Sequence, residues 1–170
     1  MESRVSEAAE FRPAHNLPLA PHPHVARWWR EDTGTLKEVS EKYSAYIEGR
    51  EPVEPYLILY DNQPFGHIQS YRVSDDEEYE RLVDMEDSTR IDLFVGEEAL
   101  LYKGLGPLVI RRFIEEIVFS DESISVCMID PDPENRAAIR AYERVGFEYF
   151  KFAQTSEGPV YLMKRPRAPR

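Results

Sequence analysis

The sequence predicts an α/β fold of the α+β type, with a mixed, mostly antiparallel central sheet flanked by helices. Three observations predict it. Pro55–Tyr60 and Phe65–Val73 are β-rich runs joined by an Asp61-Asn62-Gln63 turn, the signal of an antiparallel hairpin. From Arg90 onward, strand-like and helix-like runs alternate over 90–95, 106–119, 123–129 and a helical stretch after Asp132. Two more strand-like runs, 147–153 and 160–164, close the chain around Ser156-Glu157-Gly158.

In chain order, residues 1–10 read as disordered or loosely attached. A single domain is expected over 11–164, followed by a basic, proline-broken tail at 165–170. Phe11–Pro23 carries Pro13, Pro18, Pro21 and Pro23, so no long helix runs through it. His24–Trp29 reads as a short helix or turn bearing two tryptophans, placed for packing or for lining a substrate cleft. Thr35 and Glu38 form a capping box, after which Leu36, Val39, Tyr43, Tyr46 and Ile47 recur at helical spacing until Gly49. Periodicity alone makes Tyr43 a core residue. The helix over 106–119 gathers Leu105, Leu108, Val109, Phe113 and Ile117 on one face. Ser123–Ile129 lacks alternation, as a strand buried on both faces does. Asp132-Pro133 offers an N-cap and a first-turn proline, and Gly146 a stop.

Composition bounds the function. The chain has 170 residues, enough for a core without staples, and 42% hydrophobic and 31% charged residues. Its one cysteine, Cys127, excludes an internal disulfide and fits a reducing cytosol. No apolar run reaches membrane-spanning length, and Met-Glu-Ser-Arg-Val-Ser lacks the apolar core of a secretion signal, so a cytoplasmic location is expected. The net charge of −11 argues against nucleic acid as a partner. Charge concentrates in Asp75–Asp92, with nine acids against Arg81 and Arg90. Such a run is either a solvated loop or a wall that attracts a polycation.

The residues with chemical promise lie mostly between Ile91 and Phe147. Ile-Asp-Leu-Phe-Val-Gly ends a strand, and Tyr-Lys-Gly-Leu-Gly-Pro-Leu-Val enters a helix. Gly104 and Gly106 form either a plain tight turn or a loop that lets a phosphate approach the helix N-terminus. Asp92 is the polar member of an apolar strand; it either pairs with Arg90 on the same face or serves as a base. Tyr142 follows Asn135 by two helical turns, where a phenol can pack under the sheet or protonate a leaving group.

Taken with Asp-Pro-Asp-Pro-Glu-Asn-Arg-Ala-Ala-Ile-Arg-Ala-Tyr-Glu-Arg-Val-Gly-Phe at 130–147, the Ile91–Val109 stretch resembles the GNAT superfamily of acetyl-CoA-dependent N-acetyltransferases. The resemblance implies a GNAT fold whose splayed central strands form the acetyl-CoA slot. It implies that Lys103, Gly104, Leu105, Gly106 and Pro107 hold the pyrophosphate, and that Phe94, Val95, Asn135, Ala138 and Tyr142 complete the cofactor contacts. No metal is expected.

From about His24 to Lys164 the chain is similar to the aminoglycoside 6′-N-acetyltransferases. His-Pro-His-Val-Ala-Arg-Trp-Trp, Pro-Tyr-Leu-Ile, Gly-His-Ile-Gln-Ser-Tyr, Ile-Asp-Leu-Phe-Val-Gly, Lys-Gly-Leu-Gly, Asp-Pro-Asp-Pro-Glu-Asn and Glu-Gly-Pro-Val-Tyr-Leu-Met occur in that family in this order. The likeness implies Asp92 as the catalytic base and sets Tyr142 on the helix that flanks the thioester, where its phenol can hydrogen-bond or protonate the departing sulfur. It places Trp29, Tyr43 and Gln69 in a substrate cleft, with Asp130 and Glu157 on substrate ammonium groups. It makes the connector, with Asp76, Glu78 and Tyr79, the wall facing a cationic amine, and Tyr79 its only stacking aromatic. A monomer or homodimer is expected.

The chain departs from the family at Leu101, where Gln or Arg is usual, and at Pro107, which lacks an N–H. Glu77-Glu78-Tyr79 replaces a Trp-bearing segment, and the stretch before His24 is shorter than the usual first strand and helix. The acyltransferases of hydroxamate siderophore synthesis are the competing branch. They carry His at the position of Asp92, Glu near Gln69, Glu-Pro for Asp130-Pro131, and no tyrosine at 142. A polyamine substrate, or a GNAT module that binds acetyl-CoA without turnover, are the remaining alternatives.

Overall fold

The computed structural model describes residues 9–13, 25, 27–29, 36–96 and 104–169. Helix α1 (Leu36–Ile47) forms over the expected stripe, with Tyr43 as a buried anchor. Gly49 at φ +68 ends it, and Thr35 of the capping box lies outside the described residues. Strands β2 (Glu54–Tyr60) and β3 (Gln63–Arg72) make the expected hairpin. Asp61 and Asn62, both at positive φ (49 and 61), supply the turn whose twist matches the two strands.

Strand β1 (Ala9–Pro13) pairs antiparallel with β2, Phe11 opposite Ile58. This corrects the expectation of a loose segment at Ala9 and Glu10, and it supplies a first strand despite the short N-terminal stretch. Residues 1–8 lie outside the described part.

The acidic connector is the largest departure from the sequence reading. After a 3₁₀ turn (Val73–Asp75) it folds into helix α2 (Glu77–Val83). Asp76 caps it by accepting from the Tyr79 N–H at 3.0 Å, and Glu77, Glu78 and Glu80 face the positive end of its dipole. Tyr79 and Val83, one turn apart, are buried against Val73, Met128, Val160 and Leu162. Two apolar anchors among many acids suffice to fix the segment.

Strand β4 (Ser88–Val95) is followed by helix α3 (Leu105–Glu116), strand β5 (Val126–Ile129), helix α4 (Arg136–Val145) and the hairpin β6 (Glu148–Thr155) and β7 (Gly158–Pro166). The strand order is β1-β2-β3-β4-β5-β7-β6. Strands β4 and β5 are parallel, and the β1–β2, β2–β3, β5–β7 and β6–β7 pairs are antiparallel, the mixed sheet that was expected. The face of α3 that is buried holds Leu105, Val109, Ile110, Phe113 and Ile114, while Leu108 and Ile117 are only half-buried. Helix α4 is capped by Asn135, whose Oδ1 accepts from the Ala138 N–H at 3.2 Å, and not by Asp132. Asp132 instead closes the preceding turn, its Oδ1 accepting from the Glu134 N–H at 2.8 Å. The basic tail is held at its start. Strand β7 runs to Pro166, and the Arg167 guanidinium donates to the carbonyls of Phe119 (2.6 Å) and Ile124 (2.9 Å).

The chain packs as two compact units, Met1–Ser70 with Asp92–Gly106, and Tyr71–Ile91 with Pro107–Arg170. In the first, Gly66 is required where β3 passes β4. A Cβ there would lie 2.7 Å from the Phe94 carbonyl oxygen and 3.1 Å from Ile58 Cδ1. Backbone cannot yield as a flexible side chain would. Gly66→Ala is therefore expected to cost about 1–3 kcal/mol of stability, the usual range for overpacking. The shift in urea midpoint measures it, and a midpoint equal to that of the unaltered protein would remove the requirement.

Candidate functional site

In the first unit, alternation along β3 puts His67 and Gln69 on one strand face, both about 1% exposed. His67 Nε2 lies 3.1 Å from Gln69 Oε1. Trp29, Tyr43 and Phe94 surround the imidazole with ring centroids at 6.0, 5.7 and 5.5 Å. Trp29 also meets Phe94 edge-on at 4.8 Å. Three residues expected to line a substrate cleft, Trp29, Tyr43 and Gln69, are thus gathered around one histidine. Sequence reasoning missed His67. Its signal was there, because it stands two residues before Gln69 in Gly-His-Ile-Gln-Ser-Tyr. The Trp29 indole N–H is buried and meets no hydrogen-bond acceptor among the described residues, the kind of orphan donor that a ligand oxygen satisfies.

Asp92 is half-buried in β4, and alternation places it on the strand face that Phe94 uses. The parallel ladder to β5 ends with Arg90 opposite Met128, two residues short of Asp92. Beyond Val95 the loop over 97–103 lies outside the described residues, and with it Leu101 and Lys103. The chain returns at Gly104, in the left-handed region at φ +77, and enters α3 at Leu105. The first-turn N–H groups of a helix have no carbonyl one turn back, so those of Leu105 and Gly106 are available to an anion. Pro107 falls in that same turn, where its missing N–H breaks no helical bond. A Cβ built on Gly106 meets nothing within 4 Å among the described atoms. The open space beside Gly106 suits a pyrophosphate approaching the backbone.

In the second unit, Asn135 caps α4 and Tyr142 is half-buried two turns later, its ring 6.0 Å from Phe147 at a steep angle. Ala138 is half-buried beside the cap. The expected substrate-binding acids fall into different states here. Glu78 reaches the β6–β7 turn, where its carboxylate accepts from the Ser156 N–H and Oγ–H, each at 3.1 Å. This ties α2 to the turn that carries exposed Glu157. A second tie runs from the Lys151 ammonium to the Leu82 carbonyl. The acidic face is consequently a braced surface and not a solvated loop.

Two residues expected on the substrate meet Arg90. Tyr79 is 3% exposed, and its ring carries the Arg90 guanidinium at 4.6 Å. Asp130 is not an open carboxylate. Arg90 Nε lies 2.7 Å from its Oδ1, and the two side chains are 16% and 6% exposed. Arg90 therefore pairs with Asp130. Cys127 is buried, and burial pushes its thiol well above the ordinary range, so it supplies no thiolate nucleophile. Among the described residues no cluster of three or more His, Cys, Asp or Glu is arranged for a metal ion, and no helix is long and apolar enough to cross a membrane.

These features can be set beside known proteins. The acetyltransferase (GNAT) domain family matches residues 20–155. An aminoglycoside N(6′)-acetyltransferase type 1 from Klebsiella pneumoniae is 34% identical over 148 residues, 85% of this chain and 73% of the relative. The structure of AAC(6′)-Ib in complex with paromomycin and acetyl-CoA superposes with a TM-score of 0.84 at 30% identity, covering 94% of each chain. AAC(6′)-Ib in complex with coenzyme A and kanamycin gives a TM-score of 0.83 at 30% identity, over 94% of this chain and 95% of the other. The extent of the family match, the sheet order and the helix entered at Leu105 agree: this chain belongs to the GNAT acetyltransferase family.

Proposed function

We infer that this chain is an N-acetyltransferase that moves the acetyl group of acetyl-CoA to the 6′-amine of an aminoglycoside. The observation that carries this reading is the 34% identity to an aminoglycoside N(6′)-acetyltransferase over 85% of the chain. The aromatic surround of His67 and Gln69, the orphan Trp29 donor and the braced acidic face support it. The pyrophosphate of acetyl-CoA lies on the N–H groups at Gly104–Gly106, with Lys103 as its cation. Leu105, Pro107, Phe94, Val95, Asn135 and Ala138 complete the contacts. Trp29, Tyr43 and Gln69 hold the sugar rings. Asp76, Glu78 and Glu157 draw in its ammonium groups through their field, since Asp76 and Glu78 also serve as a helix cap and a turn brace.

In the transfer itself, the substrate arrives as an ammonium and must lose a proton before it can attack. Asp92 accepts that proton, directly or through one water. The freed nitrogen lone pair adds to the thioester carbonyl carbon. The cationic nitrogen of the tetrahedral adduct gives up its second proton to water, the adduct collapses by breaking the C–S bond, and Tyr142 donates its phenolic proton to the departing sulfur. The products are the amide and free coenzyme A, with the proton held by Asp92 exchanging with water to restore the tyrosine. His at position 92 would mark the siderophore branch; Asp92 favours a substrate whose amine is an ordinary alkyl ammonium.

Thiol release from acetyl-CoA across kanamycin, tobramycin, spermidine and N-hydroxylysine tests the reading. Release is expected with the two aminoglycosides. Preference for N-hydroxylysine would move the chain to the siderophore branch, and release with none would leave only a binding module. Two substitutions refine it. Asp92→Asn should lower kcat by ~10²–10⁴ while coenzyme A affinity stays unchanged, and raising pH should restore part of the rate because more amine is already neutral. Near-normal kcat at neutral pH would leave Asp92 a structural residue. Gly106→Val meets no described neighbour, so its thermal midpoint should barely move while calorimetry shows coenzyme A binding weakened at least tenfold, about 1.4 kcal/mol. Unchanged affinity would take the pyrophosphate away from this loop.

A further inference from the structure

Resting on the function inferred above, the first unit carries an arrangement that bears on how the aminoglycoside is held. His67 and Gln69 alternate onto one face of β3, and both are almost completely buried. Opposite them on β2 stand Leu57 and Pro55, whose side chains offer no polar group to a buried amide. The strand supplies one itself, because His67 Nε2 lies 3.1 Å from Gln69 Oε1. An amide oxygen only accepts, so this ring nitrogen carries the hydrogen and donates it. The imidazole is fixed in turn. Trp29 and Tyr43 meet it edge-on, at interplanar angles of 87° and 83°, and the Phe94 ring lies tilted at 40° to it. A ring held by three others keeps its donor aimed at the amide.

We propose that His67 is a positioning residue that orients the Gln69 amide for the substrate. A side-chain amide can turn over about its last torsion, exchanging its acceptor and donor ends at nearly the same shape. Only one of the two orientations puts the oxygen on His67, and in it the N–H2 end is turned away from the imidazole. The His67 donor selects that orientation, because the other would set the amide N–H2 against a ring N–H. Trp29, Tyr43 and Gln69 then form one preset surface. The buried Trp29 N–H, which meets no acceptor among the described residues, belongs to the same cluster and is a second sign that it takes a ligand. A preset amide costs the substrate no ordering when it binds. Its contact is made alike before and during transfer, so it acts on binding and not on the chemical step.

Steady-state kinetics with kanamycin on the unaltered protein, His67→Phe, His67→Gln, Gln69→Ala and the double variant His67→Phe/Gln69→Ala tests this. Phe keeps an aromatic ring among the other three but has no donor, whereas Gln loses the ring but can place an N–H near the Nε2 position. His67→Phe should raise KM about fivefold, the effect of one lost hydrogen bond, with kcat and coenzyme A affinity within about twofold of the unaltered protein. His67→Gln should recover most of that loss, and Gln69→Ala should raise KM at least as much as His67→Phe does. In the Gln69→Ala background, His67→Phe should add nothing. A packing role gives the reverse order, with Phe tolerated and Gln damaging, and that order overturns the proposal. It is overturned too if KM is unchanged in His67→Phe, if the two substitutions add, or if kcat takes the loss. One measurement needs no variant: two-bond proton–nitrogen NMR of the unaltered protein should show hydrogen on His67 Nε2. A bare Nε2 removes the proposal even if the variants do not fold. Absence of turnover with kanamycin in the unaltered protein removes the aminoglycoside reading and this one together, whereas turnover without this KM pattern removes this one alone.

Discussion

A change of role along β4 within two residues governs the candidate chemistry. Up to Arg90 the strand is in parallel register with β5, and its side chains serve that partnership. Ser88 and Thr89 are buried, and Arg90 is spent on Asp130. Among the described residues that ladder ends at Arg90, and every residue from Asp92 to Val95 is half-buried. The GNAT family to which the chain belongs is one of acetyl transfer.

The same economy explains how a segment so rich in acids can fold. Clustered carboxylates repel one another and favour extended, solvated chain. Here the repulsion is offset in three ways. Asp76 spends its charge on the α2 cap, Glu77 pairs with Arg81 one turn on, and Glu78 holds the Ser156 turn. Exposed pairs such as Glu77–Arg81 contribute little by themselves. Burial of Tyr79 and Val83 supplies the larger share, since each large apolar side chain removed from water is worth roughly 1.5–3 kcal/mol. The helix keeps its place despite its acids.

Much of this is legible in the sequence. The β2–β3 hairpin announces itself through alternation and an Asp-Asn turn, the α1 stop through Gly49, and the α3 entry through Gly104 and Gly106. These are local signals, each written within a few residues. What is not legible depends on partners far along the chain. Helix α2 needs Val160 and Leu162 to bury Tyr79, and β1 needs β2 across a long stretch rich in prolines and tryptophans. Asn135, expected as a cofactor contact, also caps α4, since Asp132 is used up by the turn before it. His67 is marked locally only by its place two residues before Gln69, and the rings of Trp29, Tyr43 and Phe94 that surround it are distant in sequence.

Asp92 and Asp130 show why residue type alone cannot assign a role. Both are aspartates at the edge of the β4–β5 ladder, and the family resemblance implies a place on the substrate for each. Parity puts Arg90 and Asp92 on one strand face, and Tyr71 and Tyr79 bracket the guanidinium. The guanidinium lies against the buried Asp130 carboxylate. That placement follows from cost. A carboxylate with 6% exposure is costly to keep ionised without a partner, whereas Asp92 is only half-buried. A general base must exchange its proton with its surroundings, and a carboxylate sealed in an ion pair does so poorly.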